Sequence, residues 1–152
     1  MSTSLLEFEV VYPSREEAER VRAAAQDQGA SANITAEPGL LPLAVLLVIA
    51  IPPGAALLIQ VIDRVIHGWR DHGIIVDARG TGAPRILAEK DLPAGTVVTL
   101  TRDGEEAKRT DLPEQKVSDY VSAALTAIAG GASAADAASQ ASSKAGAGAA
   151  AG

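Results

Sequence analysis

The sequence predicts an α+β fold, on three observations. Residues Leu6 to Tyr12 alternate apolar and polar side chains, residues 14–28 carry a capped helical pattern, and residues 74–109 read as short strands between turns. The expected architecture is a β-α-β start, a central apolar helical segment broken at a Pro-Pro-Gly, antiparallel strands, a C-terminal helix and an Ala/Gly-rich tail. Residues 1–129 form one small α+β domain containing the apolar segment 38–66, and residues 130–152 form a low-complexity tail.

Leu6, Phe8, Val10 and Tyr12 fall on one side of the first strand and Glu7, Glu9 and Val11 on the other, and Pro13 ends it. Ser14 and Glu17 have capping-box spacing, with Glu16, Glu17 and Glu19 near the positive end of the helix dipole. The helix is expected to reach about Gln28, with a narrow stripe of Ala18, Val21 and Ala25, and Gly29 stops it. Ala32, Ile34 and Ala36 alternate as a second strand. Residues 5–37 therefore read as a β-α-β unit with parallel pairing and a right-handed crossover.

The most distinctive stretch follows. Pro38 to Ile62 reads PGLLPLAVLLVIAIPPGAALLIQVI, 25 residues without a formal charge, in which Gln60 alone has a polar side chain. About 20 apolar residues span a bilayer as one helix, but Pro52-Pro53-Gly54 removes two backbone donors from the middle of this run. Its halves, Leu40 to Ile51 and Ala55 to Ile66, are each too short to cross alone. Three forms fit: a kinked span, a re-entrant or surface-lying hairpin, and a buried pair of elements. The second half is the clearer helix, with Pro53 at its first position and Leu58, Ile62, Val65 and Trp69 on one face. Trp69 fits either an interfacial anchor or the last knob of a buried stripe.

Gly73 closes that helix, and Ile74 to Arg79 form a strand. Arg85 to Glu89 return as its partner, with Ile86 and Ala88 facing opposite to Leu87. Thr96 to Thr101 alternate again, and Asp103-Gly104 signals a hairpin into a polar edge strand at Glu105 to Arg109. A helix is expected from Glu114 to about Ala129, with Val117, Val121 (or Tyr120), Ala124 and Ile128 as its stripe. Beyond it sixteen of 23 residues are Ala or Gly, so the tail has little side-chain area to anchor it and reads as weakly helical or disordered.

Composition removes several functions. With 13 basic and 19 acidic residues the formal charge is -6, and no stretch gathers Lys and Arg, so no nucleic-acid partner is expected. The absence of cysteine excludes disulfides, a thiol nucleophile and thiolate-held metals. MSTSLLEFEV has neither a basic region nor an apolar core, so no conventional secretory signal is expected. High Ala and Gly, with Arg over Lys, associates with a high-GC bacterial genome.

The chemistry is sparse. Asp63, His67 and Asp71 share a helical face, a partial divalent-ion pattern that needs another ligand, and a solvated polar face is the reading adopted. His67 and His72 are about 140° apart around a helix and are no ligand pair. Ser2, Ser4, Ser14 and Ser31 lack a nucleophile elbow, and Gly80-Thr81-Gly82 is not a phosphate loop. Glu105 and Glu106 fall on opposite strand faces. No catalytic, cofactor-binding or metal-binding residue is therefore expected, and the chain reads as a non-enzyme without a cofactor.

The order strand, helix, strand, apolar segment, amphipathic helix and strands resembles small effector-associated accessory proteins of bacterial conflict systems. The charged first helix, the Pro38-Gly39 lead-in, the apolar run ending near Trp69 and the strand after Gly73 carry the likeness, over roughly Leu5 to Arg109. It implies an adaptor or regulatory partner, and no functional residue is carried over from it.

These readings converge on a non-catalytic, membrane-associated accessory or adaptor protein on the cytoplasmic side, presenting a small α+β surface to a protein partner. Its lipid or homo-oligomer contact falls in residues 40–66, through Leu41, Leu46, Leu47, Ile51, Pro52, Pro53, Leu58, Ile59, Ile62 and Trp69. The alternative is a soluble, cytoplasmic oligomeric module with the apolar hairpin as its interface.

Overall fold

The computed structural model describes residues 5–35, 45–52, 55–69, 71–80, 82–102 and 104–145. They build one mixed seven-stranded sheet covered on one face by four helices, an α+β fold. In chain order the elements are β1 (Leu6–Tyr12), α1 (Arg15–Asp27), β2 (Ser31–Thr35), β3 (Val45–Ile51), α2 (Ala55–Ile66) and a 3₁₀ turn (His67–Trp69). There follow β4 (Gly73–Ala78), β5 (Arg85–Glu89), β6 (Val97–Thr101), β7 (Glu106–Arg109), α3 (Glu114–Ala129) and α4 (Ala134–Ala145). The strand order is β2-β3-β1-β5-β4-β6-β7.

The opening unit forms as its local chemistry dictates. Ser14 Oγ accepts the Glu17 amide at 3.4 Å, Ala18 and Ala25 are buried, and Gly29 takes a φ of 100° to end α1. Its pairing differs from the expectation. β1 and β2 run parallel but do not touch, because β3 lies between them and is antiparallel to both. The reason is chemical. β1 carries Glu7 and Glu9 on its second face, whereas β3, reading VLLVIAI, is apolar on both and gains most from an interior place.

That placement corrects the expectation of a helix in the first half of the apolar run. Seven residues rich in Val and Ile and closed by a proline fit a buried strand better than a helix. The second half is α2, and its stripe of Leu58, Ile62, Val65 and Trp69 is buried against the sheet. Tyr12 fastens the two together: its hydroxyl donates to the Val65 carbonyl at 3.4 Å and its ring lies 5.7 Å from that of Trp69. Burial, with Glu17 nearby as a lesser cause, pushes the Tyr12 phenol far above its ordinary range. Among the described residues no helix is long and apolar enough to cross a membrane.

The β4–β5 and β6–β7 pairs are antiparallel as expected, and β7 is an edge. Two parallel contacts, β1 with β5 and β4 with β6, make the sheet mixed. The segment expected to be a weakly helical or disordered tail contains α4. Its alanines Ala134, Ala137 and Ala141 are fully buried, and it packs on α3, β6 and β7. Small side chains allow that close approach. Its first turn is held from outside the helix: the amides of Ala134, Ala135 and Asp136 donate to Thr101 Oγ1, Glu105 Oε1 and Ser133 Oγ.

The helices form one layer, each packed on the next, with α1 over β1 to β3 and α4 over β6 and β7. The core between layers is centred on Phe8, Val10, Leu47, Ile49, Ile62, Ile86 and Leu125, all fully buried. Leu47→Ala should therefore cost about 2–5 kcal/mol in urea unfolding, as truncation in a closed core does. A loss below about 1 kcal/mol would mean that β3 is not seated in the interior.

Candidate functional site

Two surfaces among the described residues bear on function. The first is a cleft of about 610 Å³ where α2 ends. The last turn of α2 contributes Asp63, the 3₁₀ turn His67 and Trp69, and the following turn Asp71 and His72. Facing these are Gly95 and Thr96 before β6, and Glu114, Gln115 and Ser118 from α3.

The cleft wall is fixed by backbone. Gly95 has a φ of 85°, its carbonyl accepts the Leu112 amide at 3.0 Å, and a Cβ there would stand 2.7 Å from the Leu112 carbonyl oxygen. Gly73 donates to the Leu92 carbonyl at 2.9 Å, and Ile74 to that of Thr96 at 2.9 Å. Only glycine fits at position 95, against the backbone of Leu112 in the segment between β7 and α3.

The polar groups of the cleft are of two kinds. Ser118 Oγ donates to Asp63 Oδ1 at 2.9 Å, so its proton is committed to a carboxylate. By contrast, Thr96 Oγ1 and His72 Nδ1 are buried without a hydrogen-bond partner among the described residues, and Thr96 is only 1% exposed. The formal balance is acidic: Asp63, Asp71 and Glu114 against two imidazoles.

Sequence spacing placed Asp63, His67 and Asp71 on one helical face. The structure brings all three to one cleft, but α geometry stops at Ile66 and tightens into the 3₁₀ turn. Among the described residues no three His, Asp or Glu side chains converge closely enough to hold a metal ion. His72, set apart from His67 by helical spacing, joins it in the cleft because the chain turns after Trp69. Thr96 and Ser118 escaped the sequence reading. Nothing local distinguishes them, since each gains its role from segments far along the chain.

The residues expected to meet lipid or a partner lie elsewhere. Leu46, Leu47, Ile51, Leu58, Ile62 and Trp69 are buried by the chain's own elements, so this fold leaves them little surface to offer. Pro52 is exposed, Ile59 is half-buried in a groove between α2, α3 and α4, and Leu41 and Pro53 lie outside the described residues.

The second surface is the sheet face opposite the helices, over which no described helix lies. Two rows cross it. One runs Val48, Glu9, Arg85, Asp77 and Leu100 over five adjacent strands. In the next, Leu46 pairs Val11, and Leu87, Ile75 and Val98 pair in turn. Continuing the β1–β5 register sets Val11 beside Leu87. Val11, Leu87, Ile75 and Val98 are half-buried and Leu46 is buried. The charges beside them are held in place. Arg85 donates twice to Glu9 Oε1, at 3.0 and 3.2 Å, and Arg79 grips both oxygens of Asp77 at 2.9 and 3.0 Å.

No protein-family model matches this chain, and no curated protein or solved structure is detectably similar to it.

The side-chain hydrogen bond from Arg79 is the main cause that holds the Asp77 carboxyl below its ordinary range. A carboxyl depressed on folding contributes stability above its unfolded pKa and loses that contribution as pH falls through the folded value. NMR titration should find Asp77 ionised below about pH 3.8, its ordinary value, and Arg79→Gln should bring it back up. An unshifted Asp77 in the parent protein would mean that the pair does not persist in solution.

Proposed function

We propose that this protein is a non-catalytic interaction module that pairs with a second copy of itself through the open face of its sheet. The observation that supports it best is the apolar row across β3, β1, β5, β4 and β6 on the face without helices. Val11, Leu87, Ile75 and Val98, half-buried and flanked by charge, gain by being covered.

Size and charge favour a like partner. Strands about 4.8 Å apart and about 3.3 Å per residue give the face a footprint on the order of 500 Å². Two such faces bury on the order of 1,000 Å², near the lower bound for a specific interface. The chain carries a formal charge of -6, which opposes association of two copies at most of their surface. On this face Glu9 is matched by Arg85 and Asp77 by Arg79, which lessens that opposition. An adaptor role of the kind the conflict-system likeness implies would then be exercised by the pair.

Lipid contact has less to support it. Val45, Leu47, Ile49 and Ile51 of the apolar run are buried in the chain's own core, which leaves less of the run to offer to lipid.

Size-exclusion chromatography with light scattering, without detergent, tests the reading. The expected mass is twice the 15.4 kDa chain. Leu87→Lys, on the wet side of β5, should weaken pairing at least tenfold and leave the circular dichroism unchanged. A parent chain that stays monomeric overturns the proposal, as does a Leu87→Lys dimer of undiminished strength. A requirement for detergent would return lipid contact to first place.

A further inference from the structure

We infer that the cleft at the end of α2 binds a small organic amine that carries a second polar group. This goes beyond self-association and does not rest on it, since no cleft residue belongs to the apolar row on the open face.

The argument begins with two atoms that folding leaves unsatisfied. A buried hydroxyl or imidazole nitrogen without a partner weakens the native state, and most proteins avoid it. Thr96 Oγ1 and His72 Nδ1 are both in this condition, and both residues line the same cleft. Thr99 Oγ1, Ser122 Oγ, Gln28 Oε1 and Arg22 Nε are also unpartnered among the described residues, but none of these residues lines this cleft. Two orphans beside one cavity point to a partner that enters it. Thr96 can give or accept a hydrogen bond, and so can a neutral histidine. The second polar group of the ligand, a hydroxyl or another amine, meets that requirement.

Charge selects the other end. Asp63, Asp71 and Glu114 set three carboxylates around the space, against two imidazoles. An anion is repelled there and an ammonium group attracted. Between the two ends, the buried side chains of Trp69, Ile74 and Leu112 give methylene groups an apolar floor. Gly95, pinned against Leu112, keeps this shape without the ligand.

The full-length protein can be titrated with ethanolamine and with 1,4-diaminobutane while its amide resonances are followed by NMR. Acetate, inorganic phosphate and glycerol serve as probes of the other classes. Saturable shifts at His72, Gly95 and Thr96 are expected with the amines alone. Thr96→Val should weaken binding about fivefold, the worth of one ordinary hydrogen bond. It should also raise Tm by about 2–4 °C, because it removes an unsatisfied buried group. Thr96→Ser, which keeps the hydroxyl, should bind like the parent, and Asp71→Asn with Glu114→Gln should weaken binding about tenfold. Loss of affinity together with gain of stability is an outcome that a merely structural threonine would not give. Non-saturable shifts with the amines, equal shifts with phosphate or glycerol, or a Thr96→Val protein that binds like the parent would overturn the inference.

Discussion

The rest of this structure depends on where a strand apolar on both faces can go. β3 cannot sit at an edge with a single neighbour without leaving half of its backbone groups unmatched. Inserted between β1 and β2, it has both backbone edges paired, with Leu47, Ile49 and Ile51 in the core beneath the helices and Leu46 and Val48 on the opposite face. Leu47 and Ile49 meet Val10 and Phe8 on one side and Ile34 and Ala32 on the other. The price is topological: β1 and β2 must be joined by a crossover that leaves a gap one strand wide, and α1 spans it. One face of this apolar strand is thereby buried in the core of a small chain.

A second consequence is one-sidedness. The connections that carry helices, from β1 to β2 and from β3 to β4, both lay them on the face where Phe8, Val10 and Tyr12 point. After β7 the chain returns twice more to the same layer, as α3 and α4. No described helix returns to the opposite face, where Glu9 is paired with Arg85 and Asp77 with Arg79. Glu9 and Arg85, joined by 76 residues of chain separation but adjacent in register, also tie the β1–β5 junction on which the two halves of the sheet meet. That junction is a short parallel contact, and a fixed ion pair across it adds geometric definition where the ladder is shortest.

What the sequence disclosed was what local chemistry decides. The alternation at Leu6–Tyr12, the Ser14 cap, the Gly29 stop and the hairpin signalled by Asp103-Gly104 need no knowledge of distant residues. The first half of the apolar run was ambiguous, because seven residues apolar on both faces have no period to read. Its proline neighbours suggested a broken helix as readily as a strand. α4 was obscured for another reason. Alanine contributes little area by itself, and its worth at Ala134, Ala137 and Ala141 exists only because α3, β6 and β7 come close enough to use it. The cleft was least legible. Asp63, Asp71 and the histidines were visible as a pattern, but Thr96 and Ser118 reach them across 33 and 55 residues from Asp63. The helical spacing first used to relate them fails at His67, where the turn tightens.

That tightening ties architecture to chemistry. Had α2 continued in α geometry through Asp71, Asp63, His67 and Asp71 would have stayed on one wall and His72 on another. The 3₁₀ turn instead buries Trp69 against Tyr12 and lets the chain reverse into β4, and Gly73 can then lie against Leu92 without a side chain between them. The reversal opens a space between α2 and α3 that no side chain fills. In an interior packed by small alanines and branched aliphatics, such a space lined by carboxylates is not a packing defect of the usual apolar kind. Thr96 Oγ1 and His72 Nδ1 beside it are groups that a core closed on itself would pair, and a ligand of the inferred kind would give them that pairing.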